Sequence, residues 1–570
     1  MTAIRVWAPN VSKIGVRADG QDTPLDQAED GWWTGPDLEP GTDYAFLLDD
    51  TAEAVPDPAS RWQPEGVHGP SRIYDQHDFE WHDGEWAGRD LTAAVVYELH
   101  VGTFTAGATF DSAIERLDHL VQLGITHVEL LPVNDFNGTW NWGYDGVLWY
   151  AVHQTYGGPD GLKRFVDAAH GKGLAVVLDV VYNHFGPSGN YLPRFGPYLK
   201  TGRNTWGDLV NVEEPNVRRF ILDNALMWLR DYHVDALRLD AVHALQDESD
   251  THILAELSAA TDTLAGMVGR PLTLIAESDL NDPVMITPRD KGGYGLAAQW
   301  DDDVHHALHS MLTGETQGYY CDFGPLRVLA KTFTSAFLHD GTFSTFRQRE
   351  HGAPIDPALH KGWQFVVCLQ NHDQVGNRAV GDRLPELATP ELVRVGAVLL
   401  LTSPFTPMLW MGEEWAAGTR WPFFTSHPEP ELAEATGKGR LAEFAGHGWD
   451  TAQMIDPQDP EAYRSAILDW SEPTTGEHAQ VLDLHRGLIA LRAAEPDLHD
   501  GELSNVKVDV DEDARWLVVH RGAFRVAANL ADTAQRLAVE GGEIVMATGT
   551  ATASADGLTL AGQSAAIVRV

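Results

Sequence analysis

Short, almost wholly apolar segments recur along the central part of the chain, and each of them ends in polar residues. From about residue 92 they read AAVVYELH, THVELLPV, LAVVLDVVYNH, VDALRLD, LTLIAE, FVVCLQNHD and PMLWMGEE. Patterns with the period of an amphipathic helix lie between them, for example at 110–124, 161–173 and 216–233. Continuous apolar strands that alternate with amphipathic helices are typical of a parallel sheet covered on both faces.

Seven or eight such units in succession predict an α/β fold, a (β/α)8 TIM barrel with long inserted loops. A doubly wound sheet is the competing architecture, but it usually has a Gly-rich phosphate loop after its first strand. No such loop follows VVYELH. We therefore expect a catalytic barrel over residues 89–497, which closes with a last helix at 478–496.

Both ends of the chain have a different texture, with short alternating runs separated by Gly, Pro and Asp. This texture predicts an N-terminal β-sandwich domain over residues 1–88, of an immunoglobulin-like or carbohydrate-binding-like kind, and a C-terminal β-sandwich domain over residues 498–570. The polar, aromatic segment 75–90 is expected to be a linker. The tryptophans of the N-terminal domain, in VWAPN and GWWTGP, are expected to serve packing rather than glucan binding.

Composition narrows the range of partners. The chain has 570 residues with 83 acidic and 40 basic side chains, a net charge of −43, and such a surface repels nucleic acids and anionic membranes. Two cysteines, Cys321 and Cys368, cannot build a disulfide framework. The N-terminus has no charged leader followed by an apolar segment, and no apolar run reaches the roughly 18–20 residues of a membrane span. We therefore expect a cytoplasmic protein.

Ionisable and amide side chains follow five of the apolar segments. In a barrel such residues lie at the carboxyl ends of the strands, where the working loops begin. They are Asp179, Asn183 and His184; Arg238, Asp240 and His243; Glu277; Asn371, His372 and Asp373; and Glu413 and Glu414.

Three of these carboxylates, Asp240, Glu277 and Asp373, are expected to converge. Such a group without a metal suggests glycoside chemistry, in which one acid attacks or stabilises an oxocarbenium-like centre and another protonates the leaving oxygen. Close like charges raise one pKa, which keeps a general acid protonated near neutral pH. Because side chains alternate along a strand, Arg238 shares a face with Asp240 and would hold it ionised as a nucleophile.

The segments DVVYNH, ALRLDAVH, AESD and NHDQ resemble, in this order, the four motif regions of the α-amylase family, glycoside hydrolase family 13. The resemblance covers nearly the whole chain and implies a retaining double displacement without a cofactor or a catalytic metal. It implies Asp240 as nucleophile, Glu277 as general acid and base, and Asp373 as the carboxylate that binds hydroxyl groups of the distorted sugar. It implies that further residues bind substrate, namely Arg238, His184, His372, Tyr144 (in NWGYDG), His243, Asp279 and Gln374, while Asp179 and Asn183 are structural.

Within this family, the longer segments DVVYNHFGPSGNYL, ALRLDAVHAL, AQWDDDVHHALH, CLQNHDQVGNR and LWMGEEWAA resemble the members that cleave the α-1,4 bond next to a terminal trehalose unit of malto-oligosyl trehalose. The enzyme that makes this substrate, malto-oligosyltrehalose synthase, is then a possible functional partner. Glycogen-branching enzymes share the domain layout but differ in the first and fourth motifs. A branching or other α-1,4-glucan-active enzyme and, more remotely, a catalytically silent carbohydrate-binding protein remain the alternatives.

Three features could suggest a metal. His305 and His309 in HHALH have a spacing that zinc sites use, but no third ligand is evident, and we expect a loop that lines the cleft. His77, Asp78, His82 and Asp83 are best explained by a solvated linker. Asn183 stands where some α-amylases bind calcium, and the full ligand set for such a site cannot be read from the sequence.

Overall fold

The centre of the molecule is a closed barrel of eight parallel strands. The computed structural model describes residues 2–446, 454–539 and 541–570. In chain order the barrel strands are Val96–Leu99, His127–Leu130, Ala175–Val180, Ala236–Leu239, Thr273–Ala276, Ala298–Trp300, Phe365–Cys368 and Thr406–Trp410, and the last pairs with the first. Every residue of these strands is buried, as expected where helices cover the outside of the sheet and side chains fill the inside. The predicted fold class is confirmed.

The sixth barrel strand is the one that the hydrophobic pattern did not identify. It has three residues, Ala298–Trp300, and its middle residue is the polar Gln299. A helix, Asp302–Thr313, follows almost at once, and Asp301 caps it by accepting from the N–H groups of Asp303 (3.0 Å) and Val304 (3.4 Å). So short a strand with a polar centre gives no continuous apolar run.

This helix corrects the expectation for HHALH, which is helical and not a loop. His305 and His309 are buried and stack at 5.5 Å, and His309 bonds to Glu315 at 2.7 Å. Of the three histidines only His306 reaches the cleft. Among the described residues, no group of three or more His, Cys, Asp and Glu side chains is arranged to hold a metal ion.

Helices follow the barrel strands on the outside of the barrel or lie in the loops between the strands. The helices are Val101–Phe104, Phe110–Ile114, Leu117–Leu123, Gly158–Gly171, Leu192–Phe195, Pro215–Asp231, Ile253–Val268, Asp302–Thr313, Leu326–Ser335, His372–Gly376, Leu384–Leu387, Pro390–Leu401, Pro430–Gly446, Pro460–Arg464, Gly476–Ala494 and Pro496–His499. Three hairpins are inserted between barrel elements: Asn134–Asp135 with Leu148–Val152, Leu199–Arg203 with Asp208–Val210, and Thr342–Ser344 with Arg349–His351. The loops of all three supply residues of the cleft.

Antiparallel sheets flank the barrel at both ends of the chain. The N-terminal strands are Thr2–Trp7, Ile14–Ala18, Gln21–Pro24, Asp26–Gln27, Trp32–Leu38, Asp43–Leu48, Ala54–Val55 and Ser71–Arg72, in two sheets. The C-terminal strands are Lys507–Asp511, Trp516–Arg521, Phe524–Asn529, Gln535–Leu537, Glu543–Ala547, Ala551–Ser554, Gly557–Leu560 and Ser564–Arg569, also in two sheets. Trp7 and Trp33 are buried in the N-terminal core, which agrees with the packing role expected for them.

The segment 75–90 is without helix or strand, but its description as a solvated linker is wrong for Asp83. The Asp83 side chain is 6% exposed, and its Oδ2 accepts from Nδ1 of His170 and Nδ1 of His233, both at 2.8 Å. Trp86 stacks on His170 at 4.6 Å, and Trp81 stacks on His233 at 3.8 Å. Alternating aromatic and acidic residues in this segment therefore hold it against the barrel.

Two smaller points concern the cysteines and the helices. Cys368 is buried on the seventh barrel strand, and Cys321 is exposed. Within the described ranges, every helix is either too short or too polar to cross a bilayer.

Candidate active site

A cleft of about 520 Å³ opens at the carboxyl ends of the barrel strands. Asp240, Glu277 and Asp373, which follow the fourth, fifth and seventh strands, all line it. So do five of the other residues that the sequence singled out, namely Tyr144, His184, Asp279, His372 and Gln374. The volume suits a ligand of a few sugar units, and barrel closure alone brings these distant chain segments together.

Asp240 is fixed by two donors. Its Oδ1 accepts from Nη1 of Arg238 at 2.6 Å, and its Oδ2 accepts from Nδ2 of Asn183 at 2.6 Å. Arg238 is completely buried, and the same Nη1 also contacts both carboxylate oxygens of Asp179, at 2.9 and 3.0 Å. A buried guanidinium is tolerated only when it is paired, and here it bridges two carboxylates. The cleft therefore presents an oriented carboxylate whose two oxygens already accept hydrogen bonds.

Glu277 is held by the residue next to Asp240. Its Oε2 accepts from the N–H of Ala241 at 2.6 Å, and its backbone carbonyl accepts from the N–H of Val242. Ala241 adopts φ 41° and ψ 50°, in the left-handed region that non-glycine residues avoid. This turn aims the peptide N–H at Glu277.

Burial raises the pKa of Glu277, and the neighbouring carboxylates of Asp240 and Asp373 raise it further against the opposing effect of Arg238. A raised pKa keeps a carboxyl group protonated near neutral pH, which is what a general acid requires. The pair therefore combines one carboxylate that accepts two hydrogen bonds with one carboxyl group that retains its proton.

Asp373 stands beside His372 at the start of the helix His372–Gly376. Its Oδ2 lies 3.3 Å from Nε2 of His372, and its Oδ1 accepts from Nδ2 of Asn377 at 3.1 Å. The carboxylate is 40% exposed, more than either of the other two acids. It is thus the acid of the three that is most open to a ligand.

An aromatic side chain from the loop after the second strand covers this region. The Tyr144 ring stacks on His372 at 5.2 Å, and its hydroxyl bonds to Asp179 and to Nε2 of His372. Gly143, just before it, has φ 109°, and a Cβ there would lie 2.2 Å from the carbonyl oxygen of Pro132. Glycine is therefore needed for this loop to turn Tyr144 into the cleft.

Of the remaining expected residues, some line the cleft and others support those residues from behind. His184 lines the cleft, but its Nε2 already bonds to the carbonyl of Tyr144 at 3.0 Å and its Nδ1 to Oδ1 of Asn183 at 2.6 Å. Asn183 thus uses both ends of its side chain on protein groups. Burial lowers the pKa of His184, although both of its ring nitrogens face hydrogen-bond acceptors. Arg238, Asp179 and Asn183 lie behind the cleft surface.

Three further strand-end residues, His243, Glu413 and Glu414, lie outside the cleft. His243 lies behind Asp279, whose N–H it accepts at 3.4 Å, and it does not line the cleft. Glu413 and Glu414, which also follow a barrel strand, are buried away from the cleft, and Glu414 contacts His119 and Tyr97. A carboxylate at a strand end is thus not sufficient evidence for a place in the site.

The cleft also contains residues that the sequence did not single out. Trp206 and Phe346, which are 47% and 43% exposed, come from two inserted hairpins, and Arg347 pairs with Asp279 at 3.1 Å. Asp302 lines the cleft too; burial raises its pKa to about 7, and the charges of Glu277 and Asp373 contribute. An acid directly after a barrel strand could have indicated Asp302, whereas the hairpin residues gave no signal.

Comparison with known proteins agrees with this geometry. Residues 100–195 match the model for the alpha amylase catalytic domain, and residues 501–567 match a domain of unknown function, DUF3459. The malto-oligosyltrehalose trehalohydrolase of Arthrobacter ramosus is 55% identical over 99% of both chains, and that of Rhizobium sp. (strain M-11) is 54% identical over 95% of this chain and 93% of its own. The chain belongs to the malto-oligosyltrehalose trehalohydrolase family.

A solved structure extends the same relationship to the fold. The crystal structure of a Salmonella typhimurium protein described as an alpha amylase superimposes on this chain with a TM-score of 0.92 at 38% identity. The match covers 99% of this chain and 97% of that one. The structural match therefore covers both flanking β-rich regions as well as the barrel.

Proposed function

We propose that the protein hydrolyses the α-1,4-glucosidic bond next to the terminal trehalose unit of malto-oligosyl trehalose and releases trehalose and a malto-oligosaccharide. The observation that carries the proposal is the convergence of Asp240, Glu277 and Asp373 in one cleft, in a chain more than half identical over nearly its full length to proteins named for this activity. A role in trehalose biosynthesis follows from the products.

In the first half of the reaction, Glu277 gives its proton to the glycosidic oxygen while Oδ1 or Oδ2 of Asp240 attacks the anomeric carbon. The bond from that carbon to the leaving oxygen breaks, trehalose departs, and a glycosyl ester with Asp240 remains. The raised pKa of Glu277 supports its role as the donor. Arg238 and Asn183 orient the attacking carboxylate through the bonds at 2.6 Å.

In the second half, Glu277 is a carboxylate and takes a proton from water as the water oxygen attacks the same carbon. The ester bond to Asp240 breaks, the malto-oligosaccharide leaves with its anomeric configuration retained, and Glu277 regains its proton. Asp240 and Glu277 thus return to their starting states, and the net reaction consumes one water molecule.

The surrounding residues are assigned supporting roles in this proposal. Asp373, the most exposed of the three acids, would bind hydroxyl groups of the distorted sugar. Tyr144, His184 and His372 would surround the same sugar, while Asp279 and Gln374 would bind further along the cleft. Asp179, Asn183, Arg238 and His243 would act from behind the surface.

A branching or general α-1,4-glucan-active enzyme is the second candidate. It would use the same covalent intermediate but pass the glycosyl group to another sugar or act on plain glucans. The motifs DVVYNH and NHDQ and the names of the curated relatives favour the trehalose-releasing hydrolase. The presence of all three acids argues against a silent carbohydrate-binding protein.

The deciding experiment is product analysis on maltoheptaosyl trehalose and on plain maltoheptaose, incubated in parallel with the same enzyme. We expect free trehalose and maltoheptaose from the first substrate, and slow or no cleavage of the second. The Asp240→Asn variant, incubated in the same way, is the control for a contaminating glucosidase. Equal cleavage of both substrates, or longer and branched products, would instead assign the protein to the general glucan-active enzymes.

The substrate also implies a preceding step. An enzyme that converts the reducing end of a malto-oligosaccharide into a trehalose unit must supply it, so functional pairing with a malto-oligosyltrehalose synthase is part of the proposal. The cytoplasmic location expected from the sequence stays a prediction.

A further inference from the structure

Beneath the cleft, Glu98 on the first barrel strand contacts His372 through both of its carboxylate oxygens. Its Oε2 accepts the backbone N–H of His372 at 3.0 Å, and its Oε1 bonds to ring Nδ1 at 2.5 Å. Both side chains are 1% exposed. Two contacts from one carboxylate fix the backbone and the ring of His372 together, so the ring has one orientation.

Hydrogen-bond directions then determine the protonation of the ring. Tyr144 donates its hydroxyl proton to Oδ2 of Asp179 at 2.6 Å, so it can only accept from Nε2 of His372, 2.8 Å away. Oδ2 of Asp373 lies 3.3 Å from the same nitrogen, and its negative charge favours a proton there. Since Nδ1 faces a carboxylate oxygen of Glu98, both ring nitrogens have an acceptor within reach, which is the arrangement that an imidazolium requires.

The surroundings of the ring are consistent with this charge. The titratable and charged groups that face it from the packed elements are Glu98, His100, Glu129, Tyr144, Asp179, Arg238 and Asp373. Burial by itself lowers the pKa of His372, but the carboxylates of Asp373 and Glu98 outweigh burial and the repulsion from Arg238, and they raise it to about 9.

We propose that Glu98 is a positioning residue for the reaction, which holds His372 doubly protonated and keeps its Nε2–H at the cleft between the Tyr144 hydroxyl and Asp373. This inference rests on the proposed glycosidase function for its kinetic consequence, although the protonation itself does not. His372 then supplies, with Arg238, the fixed positive charge that balances Asp240 and Asp373. Without Glu98 the ring would lose a proton within the neutral range and present a lone pair to Asp373 or to Tyr144.

The neighbouring strand offers a matched control. Glu129 pairs in register with Glu98, is also 1% exposed, and has no hydrogen-bond partner for either carboxylate oxygen within the described part of the chain. Burial, with the charges of Glu98 and Asp179, raises its pKa well above the ordinary value, so it is neutral. Glu129→Gln therefore changes a buried acid on the same layer of the barrel without removing a charge.

The experiment is a pH titration of the His372 ring by NMR of protein with 15N-labelled histidine, in the wild type, Glu98→Gln and Glu129→Gln. The His372→Asn variant identifies the signal. We expect the wild-type ring to stay an imidazolium beyond about pH 8, Glu98→Gln to lower its titration midpoint by about two pH units or more, and Glu129→Gln to leave it within about half a unit.

Activity provides the kinetic test. Because the ring of Glu98→Gln remains protonated in acid, we expect kcat within about threefold of wild type near pH 5.5 and about tenfold lower near pH 8, with KM changed less than kcat. Equal loss at both pH values, or the same loss in Glu129→Gln, would overturn the positioning role.

The wild-type titration keeps the proposal testable if Glu98→Gln does not fold. A wild-type midpoint near the ordinary value of about 6.5 would overturn the proposal, and a midpoint above about 8 would support it. A high midpoint in a protein that releases no trehalose would contradict only the proposed substrate.

Discussion

At the scale of single residues, the site depends on one buried guanidinium that serves two carboxylates. Nη1 of Arg238 contacts Asp179 and Asp240 and leaves the second carboxylate at the cleft surface, while Nη2 lies 3.6 Å from Oε2 of Glu277. Desolvating a cation without partners would cost several kcal/mol. This desolvation cost is offset because three carboxylates surround the Arg238 guanidinium. The same contacts orient the carboxylates that take part in the reaction.

The different roles of the two acids can be separated with substrates. In Glu277→Gln we expect kcat on malto-oligosyl trehalose to fall by about 10²- to 10⁴-fold, because the leaving oxygen receives no proton. An aryl α-maltooligoside with a nitrophenolate leaving group does not need that proton, so the variant should form the glycosyl enzyme with it at close to the wild-type rate, in a burst. Stopped-flow absorbance measures this burst.

Asp240→Asn is the matched control for this test, because it should lose activity on both substrates equally. It also keeps Arg238 paired with Asp179, and its thermal midpoint should therefore stay close to that of the wild type. If Glu277→Gln lost activity on both substrates equally, the assignment of Glu277 as the general acid would be contradicted.

At the scale of elements, the segment 75–90 is held to the barrel by charge. His170 bonds through Nδ1 to Asp83 and through Nε2 to Asp235, at 2.8 and 2.9 Å, and its side chain is fully buried. Although burial opposes it, bonding to Asp235 and Asp83 raises the pKa of His170, and bonding to His170 and His233 lowers the pKa of Asp83 despite its burial. The segment and the barrel therefore share an ion network.

This network predicts how stability depends on pH. The contribution of His170 is complete below its ordinary pKa of 6.5 and is lost as the pH rises through its higher folded value. The contribution of Asp83 is complete above its ordinary 3.8 and is lost as the pH falls through its lower folded value. Both contributions are therefore present between these two ordinary values.

Asp83→Asn should destabilise the protein by about 1–3 kcal/mol near pH 5.5, and the difference from wild type should shrink by about pH 9 as His170 loses its proton. Urea unfolding midpoints at these two pH values measure it. Asp78→Asn, in the same segment but exposed, should have little effect at either pH. A difference that grows toward pH 9 would contradict the charged network.

At the scale of the whole molecule, the excess of acidic residues affects stability through the net charge. A net charge of −43 repels itself in the folded state, and salt screens the repulsion because the Debye length falls from about 30 Å at 0.01 M to about 3 Å at 1 M. We therefore expect the thermal midpoint at pH 7.5 to rise by several degrees between about 0.01 and 1 M NaCl.

The same titration near pH 5 is the control for this prediction, because the sequence pI is about 4.7 and little net charge remains to be screened. Differential scanning fluorimetry at both pH values is sufficient. A midpoint that falls with salt at pH 7.5 would mean that the surface ion pairs contribute more than the net repulsion.

The extent of sequence-based prediction also differs with scale. Seven barrel strands could be recognised because burial on both faces leaves a continuous apolar run, and the sixth could not because Ala298–Trp300 is short and has Gln299 at its centre. The three acids could be named because each follows such a run. Trp206 and Phe346 could not be, because they reach the cleft on hairpins whose direction is set by distant contacts.

The sequence by itself determined the barrel, its two flanking β-rich regions and the acids at the strand ends, since these depend on local periodicity and on residue type at fixed positions. Only the tertiary structure decided which of the strand-end acids meet, because Glu414 and Glu277 have similar local contexts but different neighbours across the barrel. It also decided the protonation of His372 and the burial of Asp83. Glu98 is 274 positions from His372, and His170 and His233 are 87 and 150 positions from Asp83, separations that no local pattern encodes.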